Sequence, residues 1–222
     1  MNLAIDPEAL RMPAKVAACR FDALESQAIF KVMLDTTSRP GLILDLPRRI
    51  VDRIPSALAP LVVLADVETR VHVIDTPTFV WSEAVTSATG ARPAQLNKAD
   101  LIAVPADGRE QLTSIFTFAH PGSAFSPESG ARLMIGVNDI RSHGTSDSAG
   151  VELVIRGPGV EGERILCIDG LTEADVNAWR TTNSRFPAGI DVWLTTEAGR
   201  IVAIPRSSRL DVVAAWPTQE RK

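Results

Sequence analysis

The chain has 222 residues and a net charge of −4, with 45% hydrophobic and 23% charged residues. That length suits one large domain or two small ones with a sizeable core, and the charge lacks the basic surplus of a duplex nucleic-acid binder. No run approaches the roughly 20 apolar residues of a spanning helix, and Asp6, Pro7, Glu8 and Arg11 interrupt any leader-like stretch, so a soluble cytoplasmic protein with neither membrane nor nucleic acid as partner is expected.

Residues 1–19 read as an extended arm or short strand leading into the domain, and residues 20–222 as one continuous domain. A helix is expected over residues 20–35, where Phe21, Leu24, Ala28 and Val32 recur at spacings of three and four. "TSRPG" stops it, because a residue before proline avoids the α region and Gly41 can take a positive φ. "GLILDL" follows as a strand. "PSALAPLVVLADVET" reads as a second helix with Ser56 as N-cap, "RVHVI" as a strand, and "PTFVWSEAVTSATGA" as a helix closed by Gly90. "ADLIAVPAD" and "ARLMIGV" read as strands, with the helix "REQLTSIFTFA" and the turn-rich loop "HPGSAFSPESG" between them. Residues 138–150 are the most loop-like stretch. "VELVIR" and "RILCI" are strands around the turn "GPGVEG". "TEADVNAWRTTNS" is a helix capped by Thr172. "IDVWLTT" and "RIVAI", joined by "EAGR", form a hairpin. Alternating helices and strands followed by a strand-rich last third imply an α/β fold, with helices packed on a mixed sheet and an antiparallel part from the hairpin.

Familiar chemical motifs are missing. Cys19 and Cys167 form no CxxC pair and read as small buried apolar residues. His72, His120 and His143 fall at no metal-ligand spacing. "GPGVEG" offers backbone N–H groups, but Pro158 removes one and no lysine follows, so a simple turn is preferred. The four lysines are Lys15, Lys31, Lys98 and Lys222. Only Lys98 lies mid-chain outside a helix, in the solvated run "QLNKAD", so none suits a pyridoxal-phosphate Schiff base. Phe79, Trp81, Phe116 and Phe118 are weighed as interface anchors, with core burial the preferred placement.

Six spaced segments resemble one family. They are "FKVMLDTTSRPG", "LVVLADVETRV", "GSAFSPESGARLMIGV", "IRGPGV", "FPAGIDVWLT" and "IPRSSRLDV". In this order, from about residue 30 to 213, they are similar to PhnH, the H subunit of the bacterial carbon–phosphorus lyase system. Arg70 stands where the family has proline, Arg132 where threonine is common, and "PRSSR" where "PRTT" is usual. The resemblance implies a three-layer α/β/α fold with a mixed sheet, similar to the large domain of pyridoxal-phosphate-dependent transferases but without the cofactor lysine. It also implies a homodimer that assembles with the G, I and J subunits (PhnG, PhnI and PhnJ). With G, I and the L protein the family supports formation of a ribose 1-alkylphosphonate 5-triphosphate from ATP and an alkylphosphonate, so a phosphonate or nucleotide is an implied substrate of the whole. No cofactor is implied for this subunit, nor catalysis by it alone. The alternatives are a free-standing enzyme or binding protein for a phosphorylated small molecule, and a scaffold with no ligand.

"PRSSR" carries the site hypothesis. Two guanidiniums and two hydroxyls follow a buried strand directly. They read either as an exit loop whose serines bond their own backbone or as a polar site for an oxyanion or a partner's acidic groups. In the second reading Arg206, Ser207 and Ser208 form the site and Arg39, in "TSRPG", is a candidate to join it.

Overall fold

The computed structural model describes residues 11–76, 80–142 and 150–213. Its helices are α1 (Arg11–Ala18), α2 (Ala23–Ser38), α3 (Arg48–Val51), α4 (Leu58–Leu64), α5 (Ser82–Thr89), α6 (Leu112–Phe118) and α7 (Glu173–Thr182). Its strands are β1 (Leu44–Asp45), β2 (Arg70–Val73), β3 (Arg92–Pro93), β4 (Leu101–Val104), β5 (Arg132–Val137), β6 (Asp139–Arg141), β7 (Val151–Arg156), β8 (Arg164–Asp169), β9 (Asp191–Thr196), β10 (Arg200–Ile204) and β11 (Arg209–Val212).

Seven strands form a mixed sheet in the order β1-β10-β9-β5-β4-β2-β3. β9, β5, β4, β2 and β3 run parallel, and β10 turns back antiparallel onto β9, pairing Val202 with Leu194. The sheet is buried on both faces, which explains why its strands read as unbroken apolar runs. Alternation sorts their side chains. Ile102, Leu133, Ile135, Val192, Leu194 and Val202 enter one core, while Leu101, Ala103, Met134, Trp193 and Ile201 enter the other.

Helices alone line the second of these faces: Ile29 and Met33 of α2, Ile50 of α3, Leu58 and Leu61 of α4, and Val85 of α5. The opposite layer is only partly helical. Phe116 of α6 stacks on Trp179 of α7 with ring centroids 5.3 Å apart. Beside this pair lies a four-stranded antiparallel sheet, β11-β7-β8-β6, which contributes Leu210, Leu153, Ile155, Leu166, Ile168 and Ile140 to the same core.

Local signals account for the helix ends. Asp22 caps α2 and Thr172 caps α7, each reciprocated by the acidic residue three positions on (Glu25 and Asp175) in a capping box. Gly90 ends α5 with φ 75°. Four expectations need correction. The segment before residue 20 carries the helix α1 rather than an extended arm or strand, and α1 packs on α5. Ser56 is not an N-cap, because α4 starts at Leu58 after Ala57. Its hydroxyl instead turns inward and donates to Thr195 Oγ1 at 2.9 Å. The loop-like stretch 138–150 contains β6, held by pairing Ile140 with Ile168. The residues after "PRSS" form β11, paired with β7. Both missed strands are short, and neither carries an alternating pattern long enough to read.

Candidate functional site

The parallel strands give the main sheet two distinct ends. At the amino end, β5 and β9 begin at Arg132 and Asp191, and β10 arrives antiparallel, with Ile204 opposite Val192. Pro205 ends that strand because it has no N–H for the ladder. The chain then bends, and Ser208 N donates to Pro205 O at 2.9 Å. Arg206 folds back onto Asp191. Its backbone N, Nε and Nη2 donate to the carboxylate at 2.9, 3.1 and 2.6 Å, and Nη1 donates to the Pro127 carbonyl. The pair is largely buried, with side-chain exposures of 12% and 22%. Arg206 is therefore committed to its own chain rather than open to a ligand, and it clamps the loop 119–131 to the start of β9.

The other three predicted residues meet around the "GPG" turn. A Cβ at Gly159 would lie 2.4 Å from Ser38 O, and one at Gly157 would lie 3.0 Å from Ser207 O. With φ of +79° and +142°, both positions favour glycine. The turn thus wedges between "TSRPG" and "PRSSR", segments more than 160 residues apart in the chain numbering. Gly41 N donates to Ala203 O at 3.0 Å and Arg164 Nη1 to Pro40 O at 2.9 Å, which lock the same corner. Ser208 Oγ is buried there without a hydrogen-bond partner. Ser207 is half-buried. Arg39 is half-exposed, and its guanidinium lies 3.6 Å from Asp35 rather than beside Arg206.

The carboxyl end of the sheet is built differently. A cleft of about 450 Å³ opens where β2, β4 and β9 finish, lined by Thr76, Pro105 to Asp107 and Glu197, by residues 51–55 between α3 and α4, and by Trp81. The crevice outside the carboxyl ends of parallel strands is where open α/β sheets bind ligands. Buried hydroxyls lie within two residues of its lining in the chain: Ser56 and Thr195 bond to each other, and Thr196 Oγ1 accepts from Arg200 N at 3.1 Å. Its charged groups are Asp52, Asp107, Glu197 and Arg53, and Arg53 is held by Glu25 Oε2 at 3.2 Å. None of these charged residues stood out in the sequence. The signal available was positional: each follows a strand end or a helix turn directly.

Other titratable groups are placed as structural ones. Burial pushes the Cys19 thiol up to about 11, so it is unreactive at neutral pH. His72 Nδ1 lies 2.8 Å from Ala94 O, and His120 Nδ1 accepts from Gly122 N at 3.0 Å. His143 and Phe79 fall outside the described residues. Lys98 lies before β4, at the sheet end opposite the cleft. Lys15, placed by sequence in a terminal arm, stands over the Trp81 ring 5.8 Å from its centroid. Trp81 and Phe116 are buried, as preferred, whereas Phe118 is 61% exposed. Arg70 grips Asp100 with two guanidinium contacts at 2.6 and 3.0 Å, which holds that carboxyl below its ordinary range. Among the described residues, no three His, Cys, Asp or Glu side chains group to hold a metal ion, and no helix is long and apolar enough to cross a membrane.

The chain is similar to two relatives along most of its length. It is 26% identical to the protein named "Putative C-P lyase subunit protein HtxG" of Stutzerimonas stutzeri, covering 91% of this chain and 94% of that protein. It is 24% identical to the alpha-D-ribose 1-methylphosphonate 5-triphosphate synthase subunit PhnH of Rhizobium meliloti, covering 84% of this chain and 90% of that one. A family model described as bacterial phosphonate metabolism protein (PhnH) matches residues 19–211. That span runs from the start of the first core helices to the last strand, taking in both ends of the sheet, and the chain belongs to the PhnH family.

Proposed function

We propose that this chain is a subunit of a carbon–phosphorus lyase assembly, within which an alkylphosphonate and ATP are converted to a ribose 1-alkylphosphonate 5-triphosphate. The observation that carries this reading is the match over residues 19–211, together with two relatives that are both named as subunits. The role is accessory rather than independently catalytic. The carboxyl-end cleft brings together three carboxylates, an arginine already paired and a buried tryptophan. The chain acts without covalently bound pyridoxal phosphate, on a sheet arranged like that of the transferases that carry it. Supporting this, Lys98 lies at the wrong end of the sheet and, among the described residues, no lysine lines the cleft. A homodimer in a reducing cytoplasm completes the reading.

Complementation tests it. In a bacterium deleted for its PhnH gene, this chain together with the other subunits from its own source should restore growth on methylphosphonate as sole phosphorus source. Growth restored by the other subunits without this chain would refute the reading. Borohydride reduction after mixing with pyridoxal phosphate should leave no single-site adduct. Stoichiometric labelling of one lysine would overturn the cofactor statement.

A further inference from the structure

The carboxyl-end cleft has the size and walls of a small-molecule site. Its volume of about 450 Å³ falls within the roughly 300–1,000 Å³ of ligand pockets. Ile54, Trp81 and Pro105 line it as buried residues. Its shape depends on Gly136. A Cβ there would lie 2.6 Å from Ala106 N, so the absence of a side chain lets the connection from β4 to α6 lie across the end of β5. Gly136 is in register with Thr195 of β9. Asp107 follows Ala106, and Glu197 comes two residues after Thr195, so connections from β4 and β9, the two neighbours of β5, each bring a carboxylate to the cleft. Arg109 holds the first connection in place, with Nε donating to Ala106 O and Nη2 to Asn138 Oδ1.

Charge selects what such a cleft can hold. The cations beside it are engaged: Arg53 with Glu25 at 3.2 Å, and Lys15, over the Trp81 ring, with Val80 O at 3.3 Å. Asp52 is paired with Arg48 at 2.9 Å. Asp107 and Glu197 have neither an ion pair nor a hydrogen bond among the described residues. A phosphate or phosphonate would meet these two carboxylates and few donors, since Pro55 and Pro105 carry no N–H. A divalent cation would need more oxygen ligands than two side chains supply, and no three acidic, His or Cys side chains group among the described residues. A protonated amine or guanidinium meets the opposite conditions. Its N–H groups find two charged acceptors, and its stem finds an apolar wall.

We propose that the cleft binds a protonated amine or guanidinium carried on an apolar stem, with Asp107 and Glu197 holding the cationic head and Ile54, Trp81 and Pro105 the stem. That chemistry belongs to a free small molecule or to a lysine or arginine side chain inserted by a partner, and the test separates the two. The inference stands apart from the proposed function, because the chain alone carries every group it uses.

Butylguanidinium is the probe, titrated into the isotopically labelled full-length chain while amide chemical shifts are followed. Saturable shifts are expected at Arg53, Ala106, Asp107 and Glu197. D107N/E197Q should bind at least tenfold more weakly, whereas E68Q/E128Q, which removes two exposed carboxylates elsewhere, should bind as wild type does. Butylphosphonate, an anion on the same stem, should leave the cleft unshifted. Shifts that avoid the cleft, undiminished binding by D107N/E197Q, or tighter binding of butylphosphonate there would each overturn the inference. If the double variant does not fold, E197Q alone decides: binding weakened about threefold or more upholds the site, and undiminished binding overturns it. Given that binding, co-production of the tagged chain with the other subunits from its source assigns the ligand. Recovery of those subunits reduced at least threefold by D107N/E197Q points to a partner's basic side chain, and undiminished recovery to a free small molecule. Wild type that recovers no other subunit refutes the proposed function and leaves the titration, and with it this inference, standing.

Discussion

The two ends of the seven-stranded sheet solve opposite problems. At the amino end, long connections must be held down, and three polar side chains are spent on the chain's own groups: Arg206 on the Asp191 carboxylate and the Pro127 carbonyl, Arg164 on Pro40, Asn183 on Ile190. Phe118, Phe125 and Phe186 stand exposed at the same end. At the carboxyl end the connections leave a cleft lined by Asp52, Asp107 and Glu197, of which Asp52 pairs with Arg48. A donor-rich motif such as "PRSSR" therefore need not mark a ligand. Its first arginine is taken up where irregular backbone must be satisfied, by the Pro127 carbonyl and the Asp191 carboxylate.

The largest effect that sharpens this contrast is expected from Arg206→Ala. It leaves the Asp191 carboxylate without its partner and frees the loop at Pro127. Breaking a buried pair costs about 3–5 kcal/mol, and partial exposure reduces this to roughly 2–3 kcal/mol, or about 5–10 °C in Tm for a chain of this size. Urea titration should show the loss, and R206A/D191N should regain part of it. An unchanged midpoint would return Arg206 to the status of a free donor.

At the other end, Thr195→Val strands the buried Ser56 hydroxyl and should cost roughly 1–2 kcal/mol. Adding Ser56→Ala should recover most of that. If both variants were equally unstable, the cost would lie in packing rather than in the hydroxyl pair.

A smaller effect separates the surface ion pair from the clamp. Because Arg70 lowers the carboxyl of Asp100 in the folded chain, the pair stabilises above the ordinary carboxylate value of about 4 and is lost as pH falls through the depressed folded value. Arg70 is half-exposed, so Arg70→Gln should cost no more than about 1 kcal/mol at pH 7. The gap to wild type should narrow below pH 4. A gap that widened in acid would contradict the assignment.

The smallest change in stability is expected from Phe125→Ser, within about 0.5 kcal/mol, since the ring is 99% exposed. A clear loss of stability in the isolated chain would mean that the ring packs internally in solution.

Sequence alone determined the elements whose signals are local. Period and caps placed α2, α5 and α7, because a capping box or a left-handed glycine acts within four residues. Apolar runs placed β4, β5, β9 and β10, because a strand buried on both faces needs no polar side. Six ordered segments were enough to identify the family. Tertiary structure decided what depends on distant partners. β6 and β11 are strands only because β8 and β7 offer them edges. Ser56 faces Thr195, 139 residues away, instead of capping a helix. Arg206 meets Asp191 because β10 folds back antiparallel onto β9 and returns to where β9 began. The cleft exists only where separate strands end side by side, a juxtaposition no single stretch of chain encodes.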